Sequence, residues 1–172
     1  EIFFKSLNYK KFKSPIILIA SHNLIKMQMK KLKIKKKIKL IDFLKLKKYQ
    51  LNNKTINLIN VDFNQQKPFV KISDKSNDYV KKSFDIALKI LKTKITNKFI
   101  NGPISKKFFL KKKYLGITEY LAHRTNTKNF AMLIYNKDLS VCPLTTHLPL
   151  KKVSKKISKN LIREKIKLID KF

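Results

Sequence analysis

Apolar and polar residues follow one another with a period that changes along the chain, and the changes mark the elements. Residues 2–12 read as a short helix, broken by Ser14 and Pro15. Residues 15–20, PIILIA, form an unbroken apolar run, the mark of a buried strand. Ser21 and Asn23 are placed to cap a helix running to about Lys33, with Leu24, Met27 and Met29 as packing residues. A short strand is predicted around IKLI, residues 38–41, in the alternating run KIKKKIKL, which reads as a solvated sheet edge. Residues 55–61, TINLINV, predict another strand, and the polar residues 62–71, with Pro68, a loop.

The clearest helix follows. Val80, Phe84, Ala87, Leu88, Leu91 and Ile95 fall on one face at helical spacing, and Asp74, Ser76 and Asp78 supply caps and negative charge for its start. Residues 98–101 predict a short strand running into Gly102-Pro103, and short helices are predicted from Ser105 to about Lys112 and over residues 118–124. NFAMLIY at 129–135 and LSVCPL at 139–144 predict two strands joined by a tight turn at Asn136-Lys137-Asp138. From Ser154 onward the chain reads as helix in two pieces, Ser158 capping the second. Strands and helices largely alternate, which predicts an α/β layered region with a mixed, mostly buried sheet and no linker dividing it.

Composition changes this picture little, and charge less than its size suggests. With 172 residues, 43% of them hydrophobic, the chain is long enough for a core and is globular in composition. No apolar run reaches the ~18 residues of a membrane-spanning helix, and no signal peptide is expected. The single cysteine, Cys142, excludes an internal disulfide and fits a reducing compartment, so a cytoplasmic location is expected. The net charge is +32, but only Arg124 and Arg163 among the 42 basic residues are arginines. Nucleic-acid interfaces favour arginine and cluster their charge, whereas these lysines are spread evenly among abundant Ile, Asn and Phe, as an AT-rich genome would produce. Nucleic acid is therefore not expected as a partner. The alternative is a lysine-rich polyanion-binding module, and in either case the field attracts phosphorylated ligands.

Only two glycines occur, Gly102 and Gly116, and in so glycine-poor a chain both are expected where the backbone demands them. They point to three segments at predicted strand ends, where α/β sheets gather ligands. NGPISK, residues 101–106, offers a fixed turn, a helix cap at Ser105 and a lysine, a combination that suits a phosphate. In LGITEYL, Thr118 is either a ligand hydroxyl or the cap of the helix that follows. In PLTTHLPL, residues 143–150, His147 is a possible metal ligand, but one histidine cannot hold a catalytic zinc, and neither His22 nor His123 has ligand spacing to it. Taken alone, His147 reads as a packing or supporting histidine.

Taken in order, NGPISK, GITEYLA at 116–122, FAMLIY at 130–135 and CPLTTHLPL at 142–150 resemble the 4-hydroxythreonine-4-phosphate dehydrogenase family of pyridoxal phosphate biosynthesis. The stretch SNDYVKKSFDIALKIL is similar to the helix before the family's glycine-proline turn. The resemblance implies a three-layer α/β/α fold of the isocitrate and isopropylmalate dehydrogenase type. It also implies that residues 1–172 form a single partial region, the N-terminal half of the family without its glycine-rich opening. The implied chemistry is NAD- or NADP-dependent oxidation of a phosphorylated substrate's secondary hydroxyl, followed by loss of CO2, with a divalent metal (zinc, magnesium or cobalt). The family is a homodimer whose metal takes three histidines, and His147 matches the first of them; Thr118 matches a substrate-binding threonine. No catalytic or nicotinamide-binding residue can be assigned. Ile117 stands where the family has a substrate-binding histidine, so either another group has taken over or substrate binds differently. These 172 residues alone are expected to be inactive, and a non-catalytic binding domain of the same fold is the other reading.

Overall fold

The structure is a computed structural model that describes residues 1–9 and 11–171. They fall into two compact units, Glu1–Phe109 and Leu110–Phe172.

In the first unit α1 (Ile2–Tyr9) leads to β1 (Ile17–Ala20), then α2 (His22–Lys31), β2 (Ile38–Leu40), a 3-10 turn (Phe43–Lys48), β3 (Ile56–Asn60) and α3 (Asn77–Lys92). The helix expected over 2–12 ends at Tyr9; Lys11 and Phe12 are not helical, and Lys10 lies outside the described residues. The three strands form one sheet in the order β1-β3-β2, and both pairings are parallel, Leu18 opposite Leu58 and Leu40 opposite the same residue. The expectation of a mixed sheet is thereby corrected. Helical crossovers after β1 and β2 return the chain in the same direction.

The central strand β3 organises the core because its side chains alternate between two faces. Ile56 and Leu58 pack with Phe4, Ala20, Ile25 and Met29, while Ile59 packs with Ile41, Leu46 and Ile90. Helical elements therefore cover both faces, and β3 reads as a nearly continuous apolar run because both faces are dry. Asn57 is the exception. It is fully buried, and its amide donates to the carbonyls of Ile16 (3.0 Å) and Asn52 (2.8 Å). Asn53 adds bonds to the Phe12 and Ser14 carbonyls and accepts from the Ile16 amide, so two asparagines fasten the segment that enters β1. The run around IKLI forms the sheet-edge strand β2, as its alternation predicts.

Helix ends show where the scarcity of glycine is felt. Ser21 caps α2, its hydroxyl accepting from the Leu24 amide, and Asn23 lies inside the helix. At the other end Lys33 adopts φ 55°, its amide bonds to the Lys30 carbonyl, and the Ile34 amide reaches back to Met29. This is a Schellman closure with lysine at the left-handed position that glycine usually fills. A side chain there is strained by about 1–2 kcal/mol. Lys33→Gly is expected to raise stability by about 0.5–1 kcal/mol, the relieved strain exceeding the entropy glycine adds to the unfolded chain. Thermal or urea unfolding of the two variants measures it.

Along α3, Phe84, Ala87 and Ile90 are buried, so the predicted face is rotated slightly, and Ile95 lies beyond the helix. Ser76 stands at the cap position without capping; its hydroxyl donates to the Ser73 carbonyl. The strand expected at 98–101 is irregular chain.

The second unit holds α4 (Ile117–Arg124), α5 (Leu150–Val153) followed by a 3-10 turn (Ser154–Lys156), and α6 (Lys159–Asp170), which Ser158 caps through the Leu161 amide. The two strands expected over 129–144 are reduced to a single antiparallel bridge, Ile134 to Val141. Ile134 and Val141 are both exposed, so no buried face rewards a longer ladder. Lys165 of α6 donates to the Phe130 carbonyl and ties the helix to this hairpin.

Candidate functional site

Of the three segments singled out by sequence, two meet. Gly116, Thr118 and Glu119 open α4, and His147 lies in the loop before α5. Glu119 Oε1 and His147 Nε2 stand 3.9 Å apart, the imidazole side chain 42% exposed and the carboxylate 25%. The pair links GITEYLA to PLTTHLPL within one compact unit.

Local backbone explains how each side chain is aimed. Gly116 occupies the N-cap position of α4 in an extended conformation (φ −157°, ψ −179°). Thr118 therefore lies in the first turn and does not cap the helix, which removes one of the two roles open to it. It is half-buried, and its hydroxyl has no hydrogen-bond partner among the described residues. His147 has φ 57°, a left-handed conformation uncommon outside glycine but commoner in histidine and asparagine than in most residues. That turn puts the ring beside the start of α4, and strained backbone of this kind concentrates at functional loops.

The two glycines are not equivalent. A side chain at Gly102 would meet nothing, and its φ is not positive, so the expectation that the backbone demands glycine there is corrected. A Cβ at Gly116 would stand 2.9 Å from Glu119 Oε2 and 4.0 Å from His147 Nε2. That atom is the movable end of a side chain, and the extended backbone at Gly116 is open to any residue, so neither glycine is demanded by torsion.

NGPISK lies at the end of the first unit. Ser105 caps as expected, its hydroxyl accepting from the Phe108 amide at 3.3 Å. The chain then makes a single π-type turn, Lys106–Leu110, and not the helix to Lys112. The remaining histidines are occupied differently. His22 lies just after β1, where burial first and Lys26 second hold its pKa below the ordinary imidazole value. The Nδ1 of His123 lies 3.0 Å from the Tyr114 hydroxyl.

No group of three or more His, Cys, Asp or Glu side chains converges among the described residues. An imidazole facing a carboxylate is nonetheless donor chemistry that divalent cations take, so the residues present fit part of such a site. No helix among the described residues is long and apolar enough to cross a membrane. Sequence reasoning did not pair Glu119 with His147, because the two lie far apart along the chain and no local pattern links them.

A parallel sheet with helical elements on both faces defines an α/β protein, with a fold similar to that of a solved structure. The crystal structure of 4-hydroxythreonine-4-phosphate dehydrogenase from Klebsiella pneumoniae superposes with a TM-score of 0.75 at 21% identity, over 92% of this chain and 49% of that one. More particularly, the chain belongs to the pyridoxal phosphate biosynthetic protein PdxA family, whose sequence profile matches residues 11–172.

Curated relatives carry the name 4-hydroxythreonine-4-phosphate dehydrogenase. That of Aquifex aeolicus is 46% identical over 72 residues, 40% of this chain and 22% of the relative. That of Sulfurihydrogenibium is 38% identical over 86 residues, 49% and 27% of the two chains. That of Neisseria meningitidis serogroup A is 31% identical over 104 residues, 58% and 32%. The matched stretches thus span less than a third of these curated relatives, and about half of the solved one.

Proposed function

We propose that this chain is part of a 4-hydroxythreonine-4-phosphate dehydrogenase, acting with NAD+ or NADP+ and a divalent metal in pyridoxal phosphate biosynthesis. The observation that carries the reading is the meeting of GITE and TTHL in one compact unit, with Glu119 and His147 3.9 Å apart, in a chain of this family. In this reading residues 1–172 are one partial region of the three-layer α/β/α architecture, cytoplasmic and part of a homodimer. The helical cover on both faces of β3 supports that layering.

His147 is the metal ligand and Thr118 the substrate contact. Thr118 suits its role because its hydroxyl is spared from capping and sits half-buried at the start of α4. His147 suits its own because its ring is accessible and lies beside a carboxylate. A divalent cation in such a site supplies Lewis acidity to the substrate's secondary hydroxyl, and the nicotinamide takes the hydride. The excess of lysine draws a phosphorylated substrate toward the protein, an attraction that falls with salt.

The test is nicotinamide reduction by the protein expressed from its natural reading frame, with 4-hydroxythreonine 4-phosphate and zinc, magnesium or cobalt. Reduction that requires substrate and is lost on chelation is expected. Absence of reduction with every metal and both cofactors overturns the reading.

A further inference from the structure

We propose that residues 110–113 are a hinge, a strained turn about which the two compact units change their relative orientation. The inference goes beyond the proposed function and does not rest on it.

The hinge is located by what holds the chain on either side. The first unit ends at Phe109, and the chain is fastened to that unit up to this residue. The Asn77 side-chain amide donates to the Phe108 carbonyl at 3.0 Å, and the Phe109 ring stacks on Phe84 of α3, centroids 5.8 Å apart. From Tyr114 the chain is fastened to the second unit. The Tyr114 ring meets the Tyr120 ring edge-on, centroids 5.4 Å apart, and its hydroxyl lies 3.0 Å from His123 Nδ1; both partners belong to α4. Between these anchorages lie only Leu110, Lys111, Lys112 and Lys113, and the three lysines are exposed.

These residues make one turn. The Lys113 amide donates to the Leu110 carbonyl at 2.8 Å, and both central residues have positive φ, 45° at Lys111 and 60° at Lys112. That is the pattern of a type I′ turn, whose central positions favour glycine and asparagine because a side chain crowds the left-handed backbone. Lysine occupies both. The closed turn is therefore raised in free energy relative to conformations in which either lysine returns to negative φ. The hydrogen bond that closes it lies beside exposed side chains, where water replaces it at little net cost.

A hinge needs a few residues that absorb a large change in φ and ψ. Here the strain lowers the cost of that change, since rotation at either lysine relieves it. The turn stands between NGPISK and GITEYLA, so opening it alters the separation of those two segments.

Paramagnetic labels at positions 47 and 142, one in each unit, test the hinge through the distribution of distances between them, with neither substrate nor metal present. In the protein expressed from its natural reading frame the distribution is expected to be broad or bimodal. Lys111→Asn combined with Lys112→Gly, the pair such a turn favours, is expected to narrow it to a single distance. The same variant should slow hydrogen exchange at the Lys113 amide by about tenfold or more, because the turn opens less often. Lys33→Gly relieves the same kind of strain inside the first unit and should leave the distribution unchanged.

A single sharp distance in the unsubstituted protein overturns the proposal. So does a distribution that stays equally broad in the turn variant, or one that Lys33→Gly narrows to the same degree. If the double variant fails to fold, Lys112→Gly alone carries the comparison, with the same outcomes.

Discussion

Leu58→Ala is expected to cost about 2–5 kcal/mol of stability and to lower Tm by about 4–20 °C. Leu58 has no exposed surface and sits in the middle strand of the sheet, opposite Leu18 on one side and Leu40 on the other. Its side chain packs with Phe4 of α1 and with Ile25 and Met29 of α2, so truncation leaves a cavity that two helices would have to move to fill. A domain of this size holds about 5–15 kcal/mol in total, and the +32 net charge works against the folded state by self-repulsion. Adding salt should therefore raise Tm in both proteins while the difference between them persists, because burial is not screened. A difference that vanished with salt would show that charge, and not packing at Leu58, sets the stability.

On the proposed reading, in the protein expressed from its natural reading frame, His147→Asn is expected to lower kcat/KM for substrate-dependent nicotinamide reduction by at least about a hundredfold, with the fold intact. Groups that merely support a metal ligand are worth about 10–100-fold, and removing the ligand itself should exceed that. Asparagine is chosen because it tolerates the left-handed backbone that His147 adopts at φ 57°, so the turn survives while the imidazole is lost. The side chain is 42% exposed, so little packing goes with it. Circular dichroism and Tm close to the parent, together with the loss of rate, would isolate the chemical role. An activity left unchanged would return His147 to the packing role that its segment alone suggests.

The elements of the first unit were largely legible because their signals are local. An apolar run over β1, the period of α3 and a serine before α2 each depend on neighbours in the chain. Ser158 was legible for the same reason. The hairpin over 129–144 was not. Its residues have strand propensity, but propensity makes a ladder only where a face is buried, and Ile134 and Val141 are exposed. Residues 98–101 failed as a strand for want of a partner. The parallel direction of the sheet was likewise invisible, since strand pairing is set by crossovers and not by composition.

The sequence by itself determined the family motifs, the candidate residues Thr118 and His147 and the apolar runs that become β1 and β3. These are properties of residue type and order along the chain. Only the tertiary structure decided that neither glycine is demanded by torsion, that Thr118 is not a cap, and that Glu119 faces His147. Each of those depends on a distance across nearly thirty residues of chain, or on a backbone angle that lysine, histidine or glycine could all adopt. Residue order carries neither; the packing of the loop before α5 against the first turn of α4 sets both.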